Sequence, residues 1–178
     1  LAAVLGSLGA MLDLRRIGAV AVDGTSGTVL AVDGDRSPVG DALMYNDAVE
    51  EPALVEAIAA AAPADSAVHG ASSGLARAIV LAHRNGAARL AHQADYVAGL
   101  LAGTTLPSDP SNALKTGYDA AAGAWPDWLD ALPVDRAMLP PVVAVGAISG
   151  RTSGSHGLPA GIAIVAGVTD GCASILAT

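Results

Sequence analysis

Phenylalanine is absent from these 178 residues, and aromatic residues amount to only 3%. There is one cysteine, Cys172, and one lysine, Lys115. A single cysteine excludes a disulfide framework and a cysteine-based metal cluster. Nine cations against 17 acidic residues leave a formal charge of −8, with no basic stripe for nucleic acid. Long apolar runs are missing as well. LAAVLGSLGAML (1–12) is too short to span a bilayer, no basic region precedes it, and Arg15 and Arg16 follow it. It reads as an amphipathic helix cut from a longer chain. GCASILAT (171–178) reads as a final helix that stops abruptly. The expectation is a cytoplasmic protein that binds neither membrane nor nucleic acid. What the chain does have is 40 alanines, 21 glycines and 52% hydrophobic residues. With 15% charged residues it is too apolar for a disordered chain, and long enough to bury a core. The length suits one domain, or one large piece of a bigger protein.

Short apolar runs alternate with helical patterns. IGAVAVD (17–23) and VLAVD (29–33) flank the Gly-rich DGTSGT (23–28), which predicts strand, tight turn, strand. ALMYND (42–47) is expected as a third short strand with a polar end. EPALVEAIAAA (51–61) carries Glu50, Glu51 and Pro52 as helix-start signals. Leu75, Ala78, Ile79 and Ala82 give helical spacing to 72–85, which Asn85-Gly86 ends. Residues 88–103 repeat the pattern and stop at Gly103. Residues 104–124 are rich in turn formers and read as a long functional loop. A short helix is expected over 125–132, a strand over 142–148, a Gly/Ser loop over 150–157 and an apolar strand over 161–167. VTDG then leads into the last helix. The order is that of an α/β fold.

Several residues can carry chemistry. Asp170 follows an apolar strand and opens a helix, the place where α/β proteins hold functional groups. A carboxylate there either accepts a proton from an incoming hydroxyl or caps the helix. Gly171 lets a substrate approach the backbone. In DGTSGT, Thr25, Ser26 and Gly27 suit close approach of a sugar or phosphate, or simply form a hairpin turn. Asp47 either meets sugar hydroxyls or caps the next helix. Asp109, Asn112 and Lys115 lie in the polar loop. Ser72 and Ser73 beside His69 lack a G-x-S-x-G elbow, so helix capping is the better reading. His83, His92 and His156 have no metal-ligand spacing, and no metal site is expected. No P-loop or dinucleotide fingerprint is present.

Taken in order, AVAVDGTSGTVLAVD (19–33), ALMYND (42–47), SSGLAR (72–77), AHQADYVAGLLAG (91–103), SDPSNALKTGYD (108–119) and GLPAGIAIVAGVTDGCAS (157–174) resemble the FGGY carbohydrate kinases. The likeness is strongest to the D-ribulokinase and xylulokinase-like branch. It covers almost the whole chain, with SNALKTGYD and VAGVTDGCAS the most specific pieces. The resemblance implies a ribonuclease H-like (actin-like ATPase) α/β fold, here an incomplete N-terminal, sugar-binding lobe (1–178). Its opening strands and the C-terminal nucleotide-binding domain lie outside the chain. It further implies ATP and Mg²⁺ as cofactors, bound mainly by those outlying parts, and a pentulose or related polyol as substrate. Asp170 becomes the general base, with Gly171 on the cofactor side. Thr25, Ser26 and Gly27 stand where xylulokinases have Gln-Met-His, and are expected to contact the sugar with Asp47 and Asn112. An uncovered sheet edge invites association, with a homodimer as one outcome. The fragment alone is expected to be inactive. A non-catalytic polyol- or protein-binding module and an actin/chaperone-type ATPase are the competing readings.

Overall fold

Two small sheets organise the chain in a computed structural model of residues 1–178. In the first, β1 (Ala19–Val20) runs parallel to β5 (Ala163–Val165), and β5 is flanked on its other side by antiparallel β4 (Ile148–Arg151). The register sets Ala19 opposite Ala163 and Val20 opposite Ile164. Farther along, the same two segments meet once more as a parallel bridge between Gly24 and Thr169. In the second sheet β2 (Val29–Val32) pairs antiparallel with β3 (Arg89–His92), and all four β2 residues are buried.

The expected hairpin is therefore not formed. The apolar runs on either side of DGTSGT pair with different partners, β1 with β5 and β2 with β3. The Gly-rich turn is a crossing between two sheets. Residues 42–47 contribute one bridge, Leu43 to Val29, and then turn, because Asp47 closes a loop on Met44 instead of extending the ladder. Residues 89–92, expected as the first turn of a helix, are strand β3, held by the exposed-to-buried alternation of a ladder against β2. The helix that follows, α4 in the order below, starts at Gln93. The segment 142–148 stays irregular until Ile148, with Val142 bridging Ser108.

The helices are α1 (Ala2–Met11), α2 (Pro52–Ala61), α3 (Gly74–Ala82), α4 (Gln93–Ala102), the single turn α5 (Pro110–Ala113) and α6 (Asp170–Leu176). Pro52 sits in the first turn of α2, where its missing N–H costs nothing. Ser73 caps α3 by accepting from the Ala76 N–H at 2.9 Å. Gly103 ends α4 with φ +70°, a left-handed conformation that favours glycine.

Fifteen buried apolar residues from β2, β3, α2, the connection that follows it, α3 and the 129–139 segment form the main core. Leu75, Ile79 and Leu81 of α3 are at most 1% exposed. Such burial contributes about 1.5–3 kcal/mol per side chain. A second core of five residues, Leu101, Leu106, Leu158, Ile162 and Ile164, lies under the β1-β5-β4 sheet. Helix α1 buries none of its residues. Leu5 touches the small core, while Val4 and Met11 face solvent, so the expected amphipathic split is not realised. No helix is long and apolar enough to cross a membrane.

Candidate functional site

Three turns converge at the carboxyl ends of β1 and β5. The Gly24 carbonyl accepts from the Asp170 N–H at 3.0 Å, so the DGTSGT turn and the start of α6 are joined through backbone. The Thr169 N–H donates to Ser111 Oγ at 3.0 Å, which brings in the 108–119 segment. Close approach requires small residues along this seam. A Cβ on Gly167, between β5 and Asp170, would overlap the Val22 carbonyl, and one on Gly24 would stand 3.0 Å from the Ala94 nitrogen.

Asp170 is exposed and is the first residue of α6, with Thr169 at the N-cap. One carboxylate oxygen accepts from the Gly171 N–H at 2.8 Å, and the other has no partner within the chain. An acid at a helix start is favoured electrostatically. Gly171 is open: a Cβ there meets nothing within 4 Å.

The DGTSGT turn is wired to its surroundings. The Thr25 N–H and hydroxyl both donate to Gln93 Oε1, at 3.1 and 2.9 Å. The Thr25 and Thr28 hydroxyls share a hydrogen bond of 2.6 Å, and Thr28 Oγ1 accepts from the Tyr45 N–H at 3.1 Å. Ser26 is half-buried and its hydroxyl makes no bond within the chain. Gly27 has φ +84°, and a Cβ there would stand 2.9 Å from Arg77 Nη2 and 3.3 Å from Lys115 Cδ. Both strain and crowding therefore reserve that position for glycine.

Asp47 is half-buried, and its carboxylate accepts from the Met44 N–H at 2.7 Å, closing its own turn. Asn112 is fully buried and donates to Asp109 Oδ2 at 2.5 Å, and its Oδ1 lacks a partner. Asp109 itself accepts from the Ser111 and Asn112 N–H groups at 2.8 and 3.1 Å and from the Ser111 hydroxyl at 2.5 Å. Within the segment read as a long loop, residues 109–117 form a capped, largely buried turn. The aliphatic stem of Lys115 lies beside Gly27 and Gly74, not free in solvent.

Two organising residues escaped the sequence reading. Arg77, in α3, is wholly buried. Its Nε donates to the Gly27 carbonyl at 3.0 Å, and its Nη1 to the Asp47 and Ser72 carbonyls, each at 2.8 Å. Nη2 is buried without an acceptor. Burial pushes the guanidinium below its usual value, and the nearby Asp47 charge works against that shift. The available signal was one charge inside an otherwise apolar helix, which must be enclosed when the helix is buried all round. His92, 2% exposed, links four segments. Its Nδ1 lies 2.9 Å from both Asp95 Oδ2 and Ser108 Oγ, and its Nε2 lies 2.9 Å from Thr116 Oγ1. No three His, Cys, Asp or Glu side chains converge in a way that would hold a metal ion.

No family model matches the sequence. Solved structures do match the fold. A xylulose kinase from Rhodospirillum rubrum superposes with a TM-score of 0.76 at 20% identity, over 91% of this chain and 37% of that one. A glycerol kinase from Plasmodium falciparum, solved with ADP, gives 0.73 at 15% identity, over 86% and 34%. A gluconate kinase from Lactobacillus acidophilus gives 0.70 at 13% identity, over 90% and 37%. The chain has the α/β, actin-like ATPase fold of carbohydrate kinases, and it spans little more than a third of the length of these structures.

Proposed function

We propose that this chain is the sugar-binding part of a carbohydrate kinase, a partial N-terminal domain of a larger enzyme that phosphorylates a pentulose or related polyol with ATP. The observation that carries the reading is the convergence on Asp170. An exposed carboxylate with one uncommitted oxygen stands where three turns from distant parts of the chain are tied together, two through backbone and the third through the Ser111 hydroxyl. The fold likeness to sugar kinases supports it. So does the sheet order β1-β5-β4, which leaves β1 with one neighbour and an edge that further strands would cover.

In this reading Asp170 takes the proton from a sugar hydroxyl, and the freed oxygen becomes the nucleophile toward the phosphoryl donor. Ser26 offers a hydroxyl free to bond substrate, Thr25 and Gly27 shape the turn around it, and Asp47 and Asn112 stiffen the walls. Gly171 leaves room beside the base. Mg²⁺ supplies charge neutralisation in such reactions. No three His, Cys, Asp or Glu side chains converge here to hold it, and metal and nucleotide are bound mainly by other parts of the enzyme.

The test is ADP release by the full-length protein across a panel of pentuloses and polyols. Asp170→Asn is expected to lower turnover by about 10²–10⁴-fold or more. Turnover within a few-fold of wild type would refute the assignment of the base.

A further inference from the structure

We propose that a second, separate pocket binds a small anion with an apolar body, such as an aryl-alkyl carboxylate. A cavity of about 680 Å³ lies between α4, the end of the β2–β3 ladder, the 137–141 segment and the 153–156 loop. Its volume falls in the range of small-molecule sites. It shares no residue with the Asp170 site. Its body is apolar, formed by Leu90, Leu100, Leu106, Met138 and Leu139, with Tyr96 among them.

The polar groups on this apolar wall define the ligand. Arg36 and Arg89 both line the cavity. Neither takes part in an ion pair, although the chain carries only nine cations among 17 acids. Arg36 makes no side-chain hydrogen bond, and Arg89 makes one long contact, 3.5 Å, to Thr105. The ladder register puts Arg89 opposite Val32, so the turn carrying Arg36 and the end of β3 present their guanidinium groups from one end of the sheet. His156 lines the cavity from the 153–156 loop. Two carboxylates also face it. Asp95 is engaged by His92, and Asp35 is exposed. Guanidinium groups with open donor sets match a carboxylate or phosphate.

A second observation is independent of charge. Arg36 (φ +71°) and His156 (φ +56°) are the two non-glycine residues with left-handed backbone, and both line this cavity. Such conformations persist only where the surroundings over-determine them, and they gather at ligand sites. Both are braced. The Asp33 carboxylate accepts the Asp35 and Ser37 N–H groups, each at 2.9 Å. Ser153 and Ser155 donate to the Leu101 and Leu100 carbonyls at 3.1 and 3.3 Å. Two braced left-handed positions thus place Arg36 and His156 on the wall of one apolar space.

The test titrates the chain with 4-phenylbutyrate and, in parallel, with 4-phenylbutanol, which keeps the apolar body and removes the charge. Calorimetry gives affinity, and amide shifts at Gly99, Gly103 and Thr105 give location. Saturable carboxylate binding is expected, at least tenfold tighter than the alcohol, and tenfold weaker in Arg36→Gln/Arg89→Gln. Arg36→Gly removes the backbone strain, so it is expected to be at least as stable as wild type while losing affinity, which separates binding from folding. Saturating D-ribulose should leave carboxylate binding unchanged. Equal affinity for the alcohol, unaltered binding in the double variant, displacement by the pentulose, or no binding of either probe would overturn the proposal.

Discussion

Replacing Arg77 by methionine keeps the volume of the buried side chain and removes its guanidinium. Three carbonyls then lose a charged donor, those of Gly27, Asp47 and Ser72. They are not equal. Gly27 is buried, so its carbonyl stays orphaned, at about 1–3 kcal/mol. Ser72 is exposed and Asp47 half-buried, so water replaces much of what those two lose. In the other direction, the variant no longer buries a cation, and Nη2 no longer sits without an acceptor. The balance is a loss of about 2 kcal/mol, and for a chain of this length a fall in Tm of about 4–8 °C. Urea and thermal unfolding measure the loss. Native-state amide exchange locates it, with faster exchange expected at Thr28 and over 44–47 and little change in α2. Arg77→Lys, which keeps the charge and loses the fork, should fall between. A methionine variant as stable as wild type, with unaltered exchange in both turns, would refute the view that Arg77 holds them in register.

Gly167→Ala sets a Cβ against the Val22 carbonyl; a loss of about 2–3 kcal/mol is expected in urea unfolding, and wild-type stability would contradict the packing. Gly171→Ala meets open space, so stability should hold within about 0.5 kcal/mol, while pentulose affinity falls if substrate passes over that backbone. Asp109→Ala removes the acceptor for the Ser111 and Asn112 groups and should cost about 2–3 kcal/mol; calorimetric unfolding decides. The Asp13 carboxyl is held below its ordinary value by hydrogen bonds from Arg15. Its contribution is present above the unfolded carboxylate range and lost as pH falls through the lower folded value. The pair is fully exposed, so Asp13→Asn should leave the acid-unfolding midpoint where it is, and a clear shift would show a larger role.

Local signals were legible where the chemistry is local. Pro52, Ser73 and Gly103 mark helix ends in the sequence, and the helices end there. The apolar strand expected over 161–167, formed as β5 (Ala163–Val165), and the helix opening at Asp170 were readable for the same reason, and they position Asp170, the leading candidate. What failed depends on partners far along the chain. Whether 17–23 pairs with 29–33 or with 163–165 is a question of sheet topology, and alternation cannot decide it. Arg89–His92 has no strong intrinsic preference, and becomes a strand because β2 lies beside it. Arg77 and His92 organise the site through hydrogen bonds to residues 16–50 positions away, which no spacing rule reports.

The two cores are unequal, fifteen residues against five, and the Asp170 site straddles them. Asp170 hangs from the sheet over the small core, whereas β2, which follows Thr25–Gly27, belongs to the large one. Cooperative units with so different a store of buried surface open with different free energies, and the smaller opens first. A molecule that touches both sides at once binds only the closed arrangement, and so adds its binding free energy to the weaker unit. Occupancy of the proposed site should therefore register as slowed exchange in β5 and α6 with little effect in α3, making the small sheet the element in which binding there is read out.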